Sequence, residues 1–220
     1  EGKTTIAVNL AVALARQGKS VILADCDPRN PSVAGVMHKE GEHPGVGAVL
    51  RGKISLQHAL SDPEIPDTEM KVLFGGKPNA DDAALLGSRK MEDIIEDMRM
   101  QADYVILDTA PAELLADASQ LAKYVDNVLY VIRCDYTKMT KIRHGIENLT
   151  MRDVKIMGYV FNGDVNQKIG RYGYGYGYGY GYGKYGRYGR YGHYGSYSRY
   201  GKKLKDTGRT EDDYGRVIKE

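Results

Sequence analysis

The chain has 220 residues, with 31 Lys/Arg against 29 Asp/Glu, 42% hydrophobic residues and two cysteines. Cys26 and Cys134 are far apart and show no C-x-x-C spacing, which argues against a disulfide scaffold or a zinc site and fits a reducing cytosol. No run of 18 apolar residues and no signal peptide is visible, so this piece is expected neither to span a membrane nor to be exported by itself; its start at Glu1, inside a motif, predicts further chain upstream.

Residues 1–163 read as one globular domain, long enough to bury roughly 70% of its unfolded surface. Ile6, Val8, Leu10, Val12, Ala13 and Leu14 predict a largely buried helix over 4–17, stopped by Gly18. Val21-Ile22-Leu23-Ala24 then predicts a short strand ending at Asp25, apolar throughout as a strand buried on both faces should be. Similar runs predict strands over 71–74, 104–107, 128–132 and 156–161. Between them, Met91, Ile94, Ile95 and Met98 share one face of a helix over 88–100, with Glu92, Asp93, Glu96 and Asp97 opposite. Further helices are predicted over 112–123 and 137–149. Strands alternating with helices imply right-handed crossovers and an α/β fold of three layers, whose ligands bind beyond the carboxyl ends of the strands.

The remainder, 164–220, differs in kind. It holds 12 Lys/Arg against 6 Asp/Glu, so a tail of +6 follows a body of −4. Tyrosines recur every second residue from Tyr172 to Tyr182 and every third to Tyr200, mostly separated by glycine. Alternating glycine has too much backbone entropy and too little side-chain area for a core, so a flexible tail is expected; a strand is the weaker alternative.

Three motifs carry chemistry. Glu1-Gly2-Lys3-Thr4-Thr5 fits the last part of G-x-x-x-x-G-K-[ST], immediately before the first helix. Phosphates need backbone N–H donors at a helix N-terminus, a lysine reaching their oxygens and a hydroxyl on Mg²⁺, and Gly2, Lys3 and Thr4 supply these. A lone G-K-T also arises by chance; two acidic strand ends downstream select the phosphate reading. Asp25-Cys26-Asp27-Pro28-Arg29 follows one strand, and Val105-Ile106-Leu107-Asp108-Thr109-Ala110-Pro111 closes another. Carboxylates there can hold Mg²⁺ through water or accept a proton from an attacking hydroxyl. Cys26 reads as a small packed residue, and His38, His43, His58, His144 and His193 lack metal-ligand spacing and read as surface or loop residues.

Gly2-Lys3-Thr4, the D-x-D-x-R of Asp25, Asp27 and Arg29, and the apolar run ending D-x-x-P at Asp108 resemble the Walker A, A′ and B motifs of the bacterial tyrosine kinase (BY-kinase) family. The stretch from Gly45 to Gly52, the Phe74-Gly75-Gly76-Lys77-Pro78 turn and the helix leading into Tyr104 resemble it too, over most of residues 1–162. The resemblance implies a three-layer α/β/α P-loop NTPase with a mostly parallel sheet. The family's first strand, and its N-terminal helix with an E-x-x-R-x-x-R oligomerisation motif, have no counterpart in this sequence. It also implies an ATP- and Mg²⁺-dependent kinase that phosphorylates its own C-terminal tyrosines and regulates capsule or exopolysaccharide synthesis. Lys3 would bind phosphates, with Gly2, Thr4, Thr5 and Arg29 in the same nucleotide set. Thr4 and Asp108 would organise Mg²⁺, Asp25 would support that shell, and Asp27 would accept the tyrosine proton. For Arg29 a structural ion pair is the other reading.

The implied partners are a transmembrane activator of the polysaccharide co-polymerase type, separate or fused upstream, further copies of the chain, a tyrosine phosphatase and other protein substrates. Such a protein would work in the cytoplasm, at the inner face of the membrane through its activator. Nucleic acid is not the expected partner, although interleaved Tyr and Arg could bind it; an inert extension is a third reading of the tail. By count, 13 of the 18 tyrosines lie in it: Tyr172, Tyr174, Tyr176, Tyr178, Tyr180, Tyr182, Tyr185, Tyr188, Tyr191, Tyr194, Tyr197, Tyr200 and Tyr214. All but Tyr214 form the expected phosphoacceptor cluster. Because D-x-D-P also occurs in chromosome- and plasmid-partitioning ATPases, a partitioning or division-site switch ATPase is the alternative enzyme, and a nucleotide-set regulatory component the non-enzymatic one.

Overall fold

Six consecutive buried residues make β1 (Val21–Cys26) the centre of the fold, as its apolar run predicts. The computed structural model describes residues 1–39, 41–111, 116–151 and 154–163; residues 112–115 of an expected helix and the whole 164–220 tail lie outside the described residues. In chain order, α1 (Lys3–Arg16), β1, α2 (Val33–Val36), α3 (Val46–Leu50), α4 (Leu56–Ala59), β2 (Leu60–Ser61) and β3 (Met70–Leu73) come first. A 3-10 stretch (Ala80–Gly87), α5 (Arg89–Arg99), β4 (Tyr104–Thr109), α6 (Ala116–Leu121), β5 (Val128–Arg133), α7 (Met139–Thr150) and β6 (Ile156–Asn162) follow. Every predicted strand is present within two residues of its expected bounds.

Alternation along β1 builds the layers, because successive side chains point to opposite faces. Val21 and Leu23 pack with Val8, Ala11 and Ala15 of α1 and with Val33, Val72 and Phe74. Ile22, Ala24 and Cys26 pack on the other face with Val46, Leu50 and the α5 row Met91, Ile94, Ile95 and Met98. Burying each large aliphatic side chain in these two clusters contributes about 1.5–3 kcal/mol. The Ser88 hydroxyl accepts the Met91 N–H and caps α5.

The strand order is β2-β3-β1-β4, with β1 parallel to both neighbours and the two-residue β2 antiparallel at the edge. Strands β5 and β6 form a separate parallel pair, and among the described residues no strand joins it to β4.

Register is what positions the site. Asp103 accepts hydrogen bonds from the N–H and hydroxyl of Ser20, while its own N–H donates to the Ser20 hydroxyl. This reciprocal clamp at the start of β1 and β4 has the same sequence offset of 83 as the pair Asp25 and Asp108, which are register partners at the far end. Partnered residues on parallel strands share a face, so both carboxylates follow Val21 and Leu23 toward α1.

Candidate functional site

Helix α1 begins at Gly2, whose φ of 89° is left-handed and which caps the helix without a side chain. A Cβ at this position would lie 2.2 Å from the Asn162 amide nitrogen, so only glycine fits. No acidic residue occupies the first turn and no side chain caps it. The positive end of a 14-residue helix is thus presented with its first N–H groups uncapped, which is the elementary requirement for an anion cradle. The Lys3 ammonium lies 2.8 Å from the Glu1 carboxylate and is close enough to Asp108 to favour its ionised form. Thr5 is exposed on the first turn, and its carbonyl accepts a bond from Asn9.

Thr4 turns inward. Its hydroxyl is 3.0 Å from the Ser32 hydroxyl and also hydrogen-bonds the Asp108 carboxylate. Asp25 accepts the N–H groups of Ser32 at 2.8 Å, Val33 at 3.0 Å and Asp27 at 3.2 Å. Asp27 in turn accepts the N–H groups of Arg29 and Asn30, at 3.2 Å and 3.0 Å, so the D-x-D-x-R segment folds into a turn held by its own acids. Arg29 sits half-buried in that turn, and Pro28 is buried. The Gly75 backbone closes over Asp25: a Cβ there would lie 2.3 Å from Pro31 and 3.0 Å from the Asp25 carboxyl carbon.

Burial dominates the electrostatics of this cluster. Asp25 is pushed up from 3.8 to about 7, chiefly by desolvation, with the neighbouring Asp108 charge adding to it against three backbone N–H donors. Asp108 is pushed up to about 6, again mainly by burial, with Thr4 and Lys3 opposing the shift. Cys26, wholly buried on the opposite face of β1, has its thiol held well above the usual range by burial first and the Asp25 charge next. A thiol so buried and so reluctant to ionise is a packed residue, not a nucleophile.

The predicted residues Gly2, Lys3, Thr4, Asp25, Asp27 and Asp108 therefore converge at the carboxyl ends of β1 and β4. The twelve predicted acceptor tyrosines lie outside the described residues. Two contributors escaped sequence reasoning. Ser32 acts through its hydroxyl on Thr4 and its N–H on Asp25. Asn162, at the end of β6, donates its side-chain amide to the Glu1 carbonyl at 2.8 Å. Neither belongs to a spacing pattern; only the fold brings them to the helix N-terminus. Among the described residues no three Asp, Glu, His or Cys side chains form a closed metal cage. The donor set fits an ion such as Mg²⁺, which takes one or two carboxylates and completes its shell with phosphates and water.

Comparison with known proteins bears on what this arrangement serves. The AAA domain family matches residues 1–159. Tyrosine-protein kinase CpsD of Streptococcus pneumoniae is 31% identical over 79% of this chain and 75% of its own. Tyrosine-protein kinase YwqD of Bacillus subtilis strain 168 is 34% identical over 79% and 72%. The crystal structure of the VpsO kinase domain superposes with a TM-score of 0.68 at 33% identity, covering 74% of this chain and 78% of that one. With these matches over most of its length, the chain belongs to the family of bacterial tyrosine-protein kinases.

Proposed function

We propose that residues 1–163 form a catalytic unit that transfers the γ-phosphoryl group of ATP to the tyrosines of the 164–220 segment, the acceptors being Tyr172 to Tyr200. The observation that carries this reading is the meeting of the uncapped α1 N-terminus with the Asp25 and Asp108 pair on one face of the sheet. Such a site offers N–H donors and a lysine to phosphates, and carboxylates beside them to a divalent cation and an incoming hydroxyl.

Bound Mg-ATP supplies the electrophilic phosphorus and neutralises charge on the phosphate oxygens. Gly2 and the first turn of α1 hold the phosphates, Lys3 pairs with their negative charge, and Thr4 with Asp108 holds the cation. Asp25, fixed by its three N–H donors, supports that shell. The acceptor phenol oxygen bonds to the γ-phosphorus as the bond to the bridging oxygen breaks, ADP leaves, and the phenol proton passes to Asp27. A phenol of pKa about 10 needs such an acceptor near neutral pH. Glycines beside nearly every tail tyrosine leave the phenols open to the site of another copy, and Lys184, Arg187, Arg190 and Arg199 steer them toward its acids.

In this reading the chain acts at the inner face of the membrane with a transmembrane activator, sets the output of capsule or exopolysaccharide synthesis, assembles with further copies and is reset by a tyrosine phosphatase. Among the described residues no helix is long and apolar enough to cross a membrane. The test incubates the full-length protein and Asp27→Asn with Mg-ATP and the activator's cytoplasmic segment, then maps phosphotyrosine. Phosphate on residues 172–200, lowered about 100- to 10,000-fold in rate by the mutation, is expected. ATP hydrolysis with unmodified tyrosines would overturn the proposal.

A further inference from the structure

Ser32 stands at the N-cap of α2, where a serine hydroxyl ordinarily accepts an N–H of the first turn, yet its side chain makes no capping bond. Asp25 takes over the cap from the end of β1, accepting the Ser32 N–H at 2.8 Å and the Val33 N–H at 3.0 Å. The hydroxyl thus released lies 3.0 Å from the Thr4 hydroxyl, 28 positions away on α1. Thr4 in turn hydrogen-bonds Asp108. Side chains from α2, α1 and β4 therefore form one chain of hydrogen bonds that ends on a buried carboxylate.

A hydroxyl has one proton and two lone pairs, whereas an ionised carboxylate only accepts. With Asp108 ionised, Thr4 donates to it, and Ser32 donates to Thr4. That direction opposes cation binding, because the Thr4 proton occupies an Asp108 oxygen and the Ser32 proton occupies a Thr4 lone pair. For both oxygens to face a cation, the Thr4 proton needs another acceptor, and Ser32 Oγ is within reach of it. Ser32 is half-buried, so its own proton can turn to solvent. We infer that Ser32 is a positioning residue: its hydroxyl takes the Thr4 hydrogen bond when the site is loaded, releasing the Thr4 and Asp108 oxygens to Mg²⁺. The inference rests on the reading of Thr4 and Asp108 as the cation pair, and the experiment separates the two.

At pH 8, melting temperatures of the full-length protein, Ser32→Ala, Ser32→Thr and Asp108→Asn are followed with saturating ADP, first in EDTA and then as Mg²⁺ is added. Because the partner that orients a metal ligand governs affinity, Ser32→Ala should need roughly 10- to 100-fold more Mg²⁺ for half of the Mg²⁺-dependent rise. In EDTA with ADP it should melt as wild type does, since the hydroxyl caps nothing and the N–H to Asp25 remains. Ser32→Thr keeps a hydroxyl and should restore the wild-type Mg²⁺ requirement. An unaltered Mg²⁺ requirement in Ser32→Ala, an equal loss in EDTA, or a Ser32→Thr protein no better than Ser32→Ala overturns the positioning role, while a raised requirement in Asp108→Asn leaves the cation pair standing. An unaltered requirement in Asp108→Asn overturns the pair and the role of Ser32 with it.

Discussion

At the scale of the residue, the site is governed by two carboxyls that burial makes reluctant to ionise. Asp25 and Asp108 start from 3.8 and are raised to about 7 and about 6. Their folded-state values lie above the unfolded ones, so the folded chain binds protons that the unfolded chain releases. The resulting stabilisation is full below about pH 4 and is lost as pH rises through 6 to 7. Without metal or nucleotide, wild type should therefore lose stability relative to Asp25→Asn between pH 4 and 8, by an amount on the order of a few kcal/mol. Thermal melts of both proteins across that range check this, and parallel curves would refute it. A cation that displaces the protons reverses the sign, so Mg²⁺ should raise the melting temperature more at pH 8 than at pH 5.

At the scale of the element, β1 is the member whose loss is least tolerable, because helices cover both its faces. Leu23 is fully buried against the α1 face, and Leu23→Ala should cost about 2–5 kcal/mol in urea unfolding, since neighbours on a sheet collapse only partly into the cavity. Strong period and strong burial also made elements legible in the sequence. The predicted 88–100 helix is α5 at 89–99, capped by the Ser88 that opens the pattern. The acid at the end of each apolar run lands where strand polarity puts it, and β-pairing brings Asp25 beside Asp108. What sequence reasoning passed over depends on contacts rather than on period. The two-residue β2 exists only through its pairing with β3. The short α3 follows a crossing in which a Cβ on Gly45 would sit 2.1 Å from the Gly75 carbonyl oxygen. Ser32 serves Asp25 partly through a backbone N–H, a donor present in every residue but proline and so invisible to side-chain patterns. Asn162 becomes relevant only when β6 ends beside the P-loop.

At the scale of the whole molecule, charge is divided between a body of −4 and a tail of +6, a separation that the near-neutral total conceals. Each phosphotyrosine adds about −1.5 to −2, so roughly three or four cancel the tail and more invert it. If the unmodified tail bridges copies of the kinase, heavy phosphorylation makes tail and body repel. Sedimentation of phosphorylated and unphosphorylated full-length protein should then show the smaller assembly in the phosphorylated sample, and identical profiles would refute a charge-driven switch. The hydrogen bond between Asn162 and the Glu1 carbonyl spans 161 positions of sequence. A ribosome adding about 5–20 residues per second reaches the second partner roughly 10–30 s after the first. During synthesis, then, the bond that ties the start of α1 to the end of β6 cannot form until position 162 has been translated, so this latch closes after every strand of the sheet has been made.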